Sequence, residues 1–168
     1  MLNETHQDFL ANYAEPDNHY SYDEAPIAYI KSDKSTPDML SNALNDNQIG
    51  IRTAAVAHPN ATPEILNKAL NDEEFFVRQI AACHQNATPK ILYRALDDKE
   101  SFIRIVATKN PKATPEILNK ALSDDNHYVR KAAVEHPNAT TEILHTALND
   151  KDYWVHSTAR QRLKGKTK

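Results

Sequence analysis

The stretch Ala61–Asp72, which reads ATPEILNKALND, decides the fold of this chain. It recurs as ATPKILYRALDD at Ala87–Asp98, as ATPEILNKALSD at Ala113–Asp124 and as ATTEILHTALND at Ala139–Asp150. A more diverged copy, STPDMLSNALND, occupies Ser35–Asp46, so successive copies begin 26 residues apart without insertion or deletion. A fixed period of this length indicates an array of repeats in which each unit buries its apolar face against its neighbours.

The first half of each period has the pattern of a short helix. In the copy at Thr62-Pro63, the threonine hydroxyl can cap the first free amides, and proline suits the first helical position because its missing N–H would be unbonded there. Apolar residues follow at helical spacing, as in Ile65, Leu66 and Ala69. A leucine-rich repeat with one strand per unit has a similar period, but it requires alternating leucines, which this pattern lacks. We therefore predict a helix.

The second half of each period also has the pattern of a helix. The predicted N-caps are Asp46, Asp72, Asp98, Asp124 and Asp150. The predicted buried face consists of Phe76, Val77, Ile80 and Ala81 in one copy, Phe102, Ile103, Val106 and Ala107 in the next, and Tyr128, Val129, Ala132 and Ala133 in the third. His58-Pro59, Asn110-Pro111 and His136-Pro137 are expected to end three of these helices, because proline pushes the preceding residue out of the helical region.

Composition places limits on the chemistry of the chain. Its 168 residues carry a net charge of −3 and include only two glycines, which disfavours a nucleic-acid-binding footprint and Gly-rich phosphate loops. Cys83 is the single cysteine, so an internal disulfide or a cysteine-based metal centre within one chain is excluded. The N-terminal residues lack the pattern of a secretory signal, and no apolar run is long enough for a membrane span. We expect a cytoplasmic protein that is not an enzyme and that has no cofactor, no metal and no membrane partner.

The organisation along the chain follows from where the repeat pattern begins and ends. We expect residues 1–34 to form an N-terminal arm and a degenerate half-repeat that caps the array, residues 35–163 to form the helical repeats, and residues 164–168 to form a basic tail. The cations near the C-terminus are Arg160, Arg162, Lys164, Lys166 and Lys168. We interpret them as a solubilising cap, with a tether to an anionic partner as the alternative.

The string VRKAAVEHPNATTEIL at Val129–Leu144 resembles the leucine-rich repeat variant family and, more loosely, short HEAT repeats. The resemblance extends from about Ser35 to Arg162. It implies an all-α fold, a right-handed α-solenoid of about five 26-residue two-helix repeats, in which one half of each unit can tighten toward a 3₁₀-helix. Some members of that family carry an N-terminal iron–sulfur module, but this chain lacks the necessary cysteines, so no such cofactor is expected.

Two ladders of polar residues recur at the repeat period. Arginines occupy Arg52, Arg78, Arg104 and Arg130, and histidines occupy His58, His84 and His136, with Asn110 in the equivalent place. The arginines could face a phosphate backbone or an acidic partner, or they could pair with the aspartate ladder between stacked repeats. Similarity to HEAT repeats implies the second, structural role, and we expect it. For the histidines we expect a helix-ending role rather than metal binding.

A few positions vary sharply between repeats, whereas core positions barely change. The candidate partner-binding residues at these variable positions are Phe75, Tyr93, Ile105, His127, Lys131 and Tyr153. Large side chains on an expected wet face favour a contact surface. We therefore predict a non-enzymatic protein–protein interaction scaffold that binds an unidentified protein partner along one face of the superhelix. Two alternatives remain: a nucleic-acid-binding HEAT-like protein, and a structural subunit of a larger assembly.

Overall fold

The computed structural model describes residues 24–166, and in that range the chain forms helices and no strand. The helices are α1 (Glu24–Ile30), α2 (Pro37–Ala43), α3 (Ile49–Ala57), α4 (Pro63–Ala69), α5 (Phe75–Cys83), α6 (Pro89–Ala95), α7 (Ser101–Lys109), α8 (Pro115–Ala121), α9 (His127–Glu135), α10 (Thr141–Ala147) and α11 (Tyr153–Lys166). The predicted all-α class and the two helices per repeat are confirmed. Both halves of each described repeat are α-helical, so neither half tightens to a 3₁₀-helix.

The chain divides into two compact units, one ending at Asn86 and the other beginning at Ala87. In the first unit, helices α1, α3 and α5 pack in chain order as one layer, and α2 packs on α4 in a second layer. In the second unit, α7, α9 and α11 form one layer, and α6, α8 and α10 form the other. Each unit therefore has the sequential stacking of a helical repeat array. Among the described residues, no helix has the length and apolar character that crossing a membrane requires.

The shorter helices, α2, α4, α6, α8 and α10, are capped as predicted. Thr114 is the N-cap of α8, and its hydroxyl accepts a hydrogen bond from the amide of Ile117. The equivalent N-caps are Thr36, Thr62, Thr88 and Thr140. Proline follows the cap in four of the five, and α10 has Thr141 there. Ile117, Leu118 and Ala121 are buried on the inner face, as the helical spacing predicts.

The longer helices begin two residues later than predicted. The N-caps are Gln48, Glu74, Glu100 and Asn126, and the prediction of aspartate N-caps is wrong. Each aspartate instead accepts a hydrogen bond from the amide two residues on, as Asp124 Oδ1 does from Asn126 at 2.8 Å. The same bond forms at Asp46, Asp72, Asp98 and Asp150. The aspartates therefore form tight turns ahead of the helices.

The buried face of the longer helices is also displaced by one residue from the predicted face. Helix α5 buries Val77, Arg78, Ala81 and Ala82, whereas Phe76 is 61% exposed. The alanines allow neighbouring helices to approach closely, which leaves no room for an aromatic ring between them. The prediction that Phe76, Phe102 and Tyr128 belong to the core is wrong, and Ile80 and Val106 are only half-buried.

The two ends of the described structure close the array differently. Helix α1 lies against α3 and buries Ile30, so the half-repeat predicted there is helical. Residues 1–23 of the predicted arm lie outside the described residues. At the other end, Arg162 stands one period after His136 and donates hydrogen bonds to the carbonyl oxygens of Val134 and His136. Arg162 is thus part of the packed end of the second unit and not of a free basic tail. The tail's Lys168 lies outside the described residues, and the domain boundaries stay predictions.

Candidate functional site

The arginine and aspartate ladders meet as ion pairs between successive repeats. In the second unit, Arg130 Nε donates to Asp150 Oδ2 at 2.7 Å, and its Nη2 donates to Asp150 Oδ1 at 3.0 Å. Its Nη1 donates to the carbonyl oxygens of Asp124 and Asp125 at 2.9 and 3.0 Å. Arg104 and Asp124 form the same two-pronged pair, and Arg52 pairs with Asp72 in the first unit. These guanidinium groups are directed into the protein and not toward solvent.

Arg78 makes the equivalent backbone contacts in the first unit. Its Nη1 donates to the carbonyl oxygens of Asp72 and Glu73 at 3.0 and 2.9 Å, and the side chain is buried. The arginine ladder therefore fastens the loop that precedes each longer helix.

The two aspartates paired in the second unit, Asp124 and Asp150, favour their ionised form. Burial alone would raise the pKa of Asp124 and Asp150, but the hydrogen bonds from Arg104 and Arg130 and from backbone amides outweigh it and hold each pKa below its usual range. A carboxyl group whose pKa is lower in the folded state stabilises the fold at pH values above its unfolded pKa of about 3.9. That contribution is lost as the pH falls through the folded-state pKa.

We expect the free energy of unfolding to decrease as the pH falls below about 4.5, where the unfolded carboxyl groups begin to bind protons. The Asp150→Asn variant should be less stable at pH 7 and should show a shallower loss of stability in that acid range. Urea unfolding between pH 7 and pH 3 measures both. Identical pH slopes in the wild type and the variant would contradict this account of the pair.

The histidine ladder links the ends of the longer helices to the preceding repeat. His136 is buried; its Nδ1 accepts from the amide of Asn138, and its Nε2 lies 3.1 Å from the carbonyl oxygen of Asn110. Because Nδ1 accepts, Nε2 must carry the proton and donate. His58 and His84 make the equivalent two contacts in the first unit. At the equivalent position in the second unit, Asn110 Oδ1 accepts a hydrogen bond from the amide of Lys112, as the histidine Nδ1 does in the other repeats. Among residues 24–166, no group of three or more His, Cys, Asp or Glu side chains could hold a metal ion.

Replacing His136 tests the helix-ending role. The His136→Leu substitution should lower the free energy of unfolding by about 1–3 kcal/mol, because the Asn138 amide and the Asn110 carbonyl both lose a partner. His136→Asn should cost less, since the asparagine at the equivalent position 110 supplies an acceptor for the amide two residues on. Thermal and urea unfolding measure the difference, and equal losses in the two variants would refute this role.

Exposed aromatic side chains recur at one position of the longer helices. In the second unit they are Phe102, Tyr128 and Trp154, which are 49%, 59% and 62% exposed, and we call these three residues the aromatic row. They lie on α7, α9 and α11, which pack in that order. In the first unit, Phe76 occupies the same repeat position. The earlier repeat has Gly50 there, where a Cβ atom would approach Ile27 Cδ1 to 3.0 Å.

Most of the residues predicted from the sequence lie beside the exposed aromatic positions rather than in them. Tyr153 is exposed and its ring meets that of Trp154 edge-on at 5.3 Å, while the His127 ring lies 4.0 Å from that of Tyr128. Phe75, Ile105 and Lys131 are half-buried on α5, α7 and α9, and Lys131 pairs with Glu135.

Tyr93 is the exception, because it lies on α6 in the other layer. Its side chain is exposed, and the Nζ of Lys120 lies 4.0 Å from the centre of its ring. The structure therefore does not group Tyr93 with the predicted residues on the longer helices of the same unit.

Sequence reasoning missed the aromatic row because it assigned those positions to the core. The apolar character of Phe102 and Tyr128 predicts burial, which places the expected buried face one residue too early. The sequence does contain a signal of exposure, because phenylalanine, tyrosine and tryptophan alternate at this one repeat position. A closely packed core of fixed spacing accommodates such changes of side-chain size poorly.

No protein-family model and no curated protein sequence matches this chain. It is similar to a leucine-rich repeat variant of known structure. That structure is described as a leucine-rich repeat variant with a novel repetitive protein structural motif, and the two chains share 19% sequence identity. The alignment covers 94% of this chain and 71% of the other, with a TM-score of 0.48.

Proposed function

We propose that this chain is a non-enzymatic protein-binding scaffold whose second unit holds a partner protein through the aromatic row. The observation that carries the proposal is the exposure of one large aromatic side chain per repeat, at Phe102, Tyr128 and Trp154. When a partner covers an exposed aromatic side chain, the binding free energy becomes more favourable by about 25 cal/mol for each Å² of apolar surface removed from water. Aromatic residues also dominate the energetic centres of protein interfaces.

The surroundings of the aromatic row suit an interface. Tyr153 and His127 make ring contacts with Trp154 and Tyr128, which restrains the rings before a partner arrives. Ile105 lies one helical turn after Phe102 and extends the apolar surface of α7. A restrained surface loses less conformational entropy on binding, which favours affinity.

Nucleic-acid binding is less well supported by the same geometry. The guanidinium groups of Arg104 and Arg130 are committed to carboxylates and backbone carbonyls, and Arg162 is committed to two carbonyl oxygens. A phosphate contact would have to break these bonds first. We therefore retain binding of a protein partner, and not of nucleic acid, as the proposed function.

Affinity purification from the native cells, followed by quantitative mass spectrometry, tests this function. The aromatic-row variant Phe102→Ser/Tyr128→Ser/Trp154→Ser should lose the proteins that the wild type retains. A matched control, Tyr93→Ser/Asn119→Ser/His145→Ser, removes exposed side chains from α6, α8 and α10 and should keep them. Circular dichroism verifies that both variants are folded. Retention of every wild-type partner by the folded aromatic-row variant would refute the proposal.

A further inference from the structure

An acidic side chain accompanies each member of the aromatic row in the loop before its helix. Glu100 precedes Phe102 by two residues, Asp125 precedes Tyr128 by three, and Asp152 precedes Trp154 by two. Glu100 and Asp125 are exposed. In the first unit, Phe76 likewise follows two exposed glutamates, Glu73 and Glu74.

Acids outnumber lysines in the loops beside the aromatic row. The acids of these loops are Asp97, Asp98, Glu100, Asp124, Asp125, Asp150 and Asp152, and the lysines are Lys99 and Lys151. Asp124 and Asp150 pair with Arg104 and Arg130, and Asp97 pairs with Lys120. Glu100, Asp125 and Asp152 are the acids that lie within three residues of the rings. Each exposed ring therefore has a nearby carboxylate, and a positively charged partner complements this arrangement.

The second unit already contains an example of the contact that such a partner would make. Lys120 Nζ lies 4.0 Å from the centre of the Tyr93 ring, 2.7 Å from Asp97 Oδ1 and 3.0 Å from the Tyr93 carbonyl oxygen. A cation is thus held by an aromatic face and a carboxylate together. Both groups attract a cation, and their effects reinforce each other.

We propose that the aromatic row binds a basic segment of the partner protein, extended and with arginine or lysine at every third residue. This inference rests on the proposed function and specifies the partner's chemistry. Packed helices lie about 8–10 Å apart, so Phe102, Tyr128 and Trp154 on successive helices repeat at roughly that distance. An extended polyproline-II segment has three residues per turn and rises about 3.1 Å per residue, which places every third side chain on one side about 9 Å apart. The two periods match.

An acidic segment is the main competing occupant. The positive ends of the α7, α9 and α11 dipoles lie at the row and would attract it. However, Glu100, Asp125 and Asp152 occupy the same helix ends and would repel it. The negative loops therefore favour the basic segment, and an acidic peptide serves as the comparison in the test.

Trp154 provides a direct reporter, because it is the only tryptophan in the chain. Its fluorescence should change saturably when the full chain is titrated with a peptide of three Arg-Pro-Pro triplets. A peptide of the same composition with its arginines contiguous should bind about tenfold more weakly, because it fits fewer of the aromatic–acid positions. A peptide of three Glu-Pro-Pro triplets should produce no saturable change.

Two variants that retain Trp154 separate the contributions of rings and charges. Phe102→Ser/Tyr128→Ser should weaken binding of the Arg-Pro-Pro peptide by about tenfold. Glu100→Gln/Asp125→Asn should also weaken it, and the remaining binding should depend less on salt concentration. Tyr93→Ser, on the other layer, should leave the dissociation constant unchanged.

The outcomes distinguish this inference from the proposed function. Absence of saturable binding by the Arg-Pro-Pro peptide, equal binding of the Glu-Pro-Pro peptide, or indifference to the Glu100→Gln/Asp125→Asn change would overturn the basic-segment proposal. The proposed function would still stand if the aromatic-row variant lost its partners in the purification experiment. It would fail only if that variant retained them.

Discussion

Replacing Arg130 with alanine should lower the free energy of unfolding by up to about 3–5 kcal/mol, because the half-buried carboxylate of Asp150 would lose its partner. Arg130 is only 5% exposed, and its guanidinium donates to both oxygens of Asp150 and to two backbone carbonyls. The substitution thus removes one partner of this charge pair and also frees the loop that precedes α9. Urea unfolding followed by circular dichroism measures the loss.

Two further variants establish the cause of that loss. Arg130→Lys should recover little stability, because an ammonium group cannot reproduce the planar fork that meets Asp150. Arg160→Ala, which removes an exposed arginine from α11, should change the free energy of unfolding by no more than about 0.5 kcal/mol. If Arg130→Ala were as stable as Arg160→Ala, the arginine ladder would not hold the repeats together.

Replacing Leu118 with alanine should cost about 2–5 kcal/mol. Leu118 is fully buried on α8, which packs against α6 and α10 in the second unit. The substitution removes apolar contacts and leaves a cavity, because helices of fixed spacing on both sides restrict the collapse of their neighbours.

Leu148→Ala is the matched control, since this leucine is only half-buried at the end of α10. Thermal and urea unfolding should show a clearly smaller loss for Leu148→Ala than for Leu118→Ala. Equal losses would contradict the packing described for the shorter helices.

The shorter helices were predictable because their signals are local. The Thr-Pro pair, as at Thr114-Pro115, supplies a cap and a first helical residue within two positions, and the apolar spacing of Ile117, Leu118 and Ala121 fixes the buried face. None of these signals depends on contacts with distant parts of the chain. The structure therefore has these helices where the sequence predicts them.

The number of longer helices was predictable, but their first residues and the residues that they bury were not. Asp124 has the residue type of an N-cap, but the structure uses it in a turn and in a pair with Arg104, twenty residues earlier in the chain. Because this contact joins two repeats, capping preferences alone could not predict that Asn126 is the N-cap of α9. The buried face also begins one residue later than predicted, so that Tyr128 is exposed and Val129 is buried.

The displaced buried face explains why the candidate site was only approximately predicted. Sequence variation identified His127 and Tyr153, which lie directly before two members of the aromatic row. It does not identify Tyr128 and Trp154, because large apolar side chains at helical spacing predict burial. The role of Arg162 could not be predicted from the charge pattern that groups it with the other C-terminal cations, because its bonds to the Val134 and His136 carbonyls depend on how α11 packs.

The unfolding free energy of the aromatic-row variant Phe102→Ser/Tyr128→Ser/Trp154→Ser tests the central claim that these side chains lie on the surface, where a partner could reach them, and are not part of the core. We predict that the variant folds and loses no more than about 1 kcal/mol per substitution, as is usual away from a packed core. A loss of about 3 kcal/mol or more per aromatic residue, the size expected for removing a buried ring, or failure of the variant to fold, would contradict the claim.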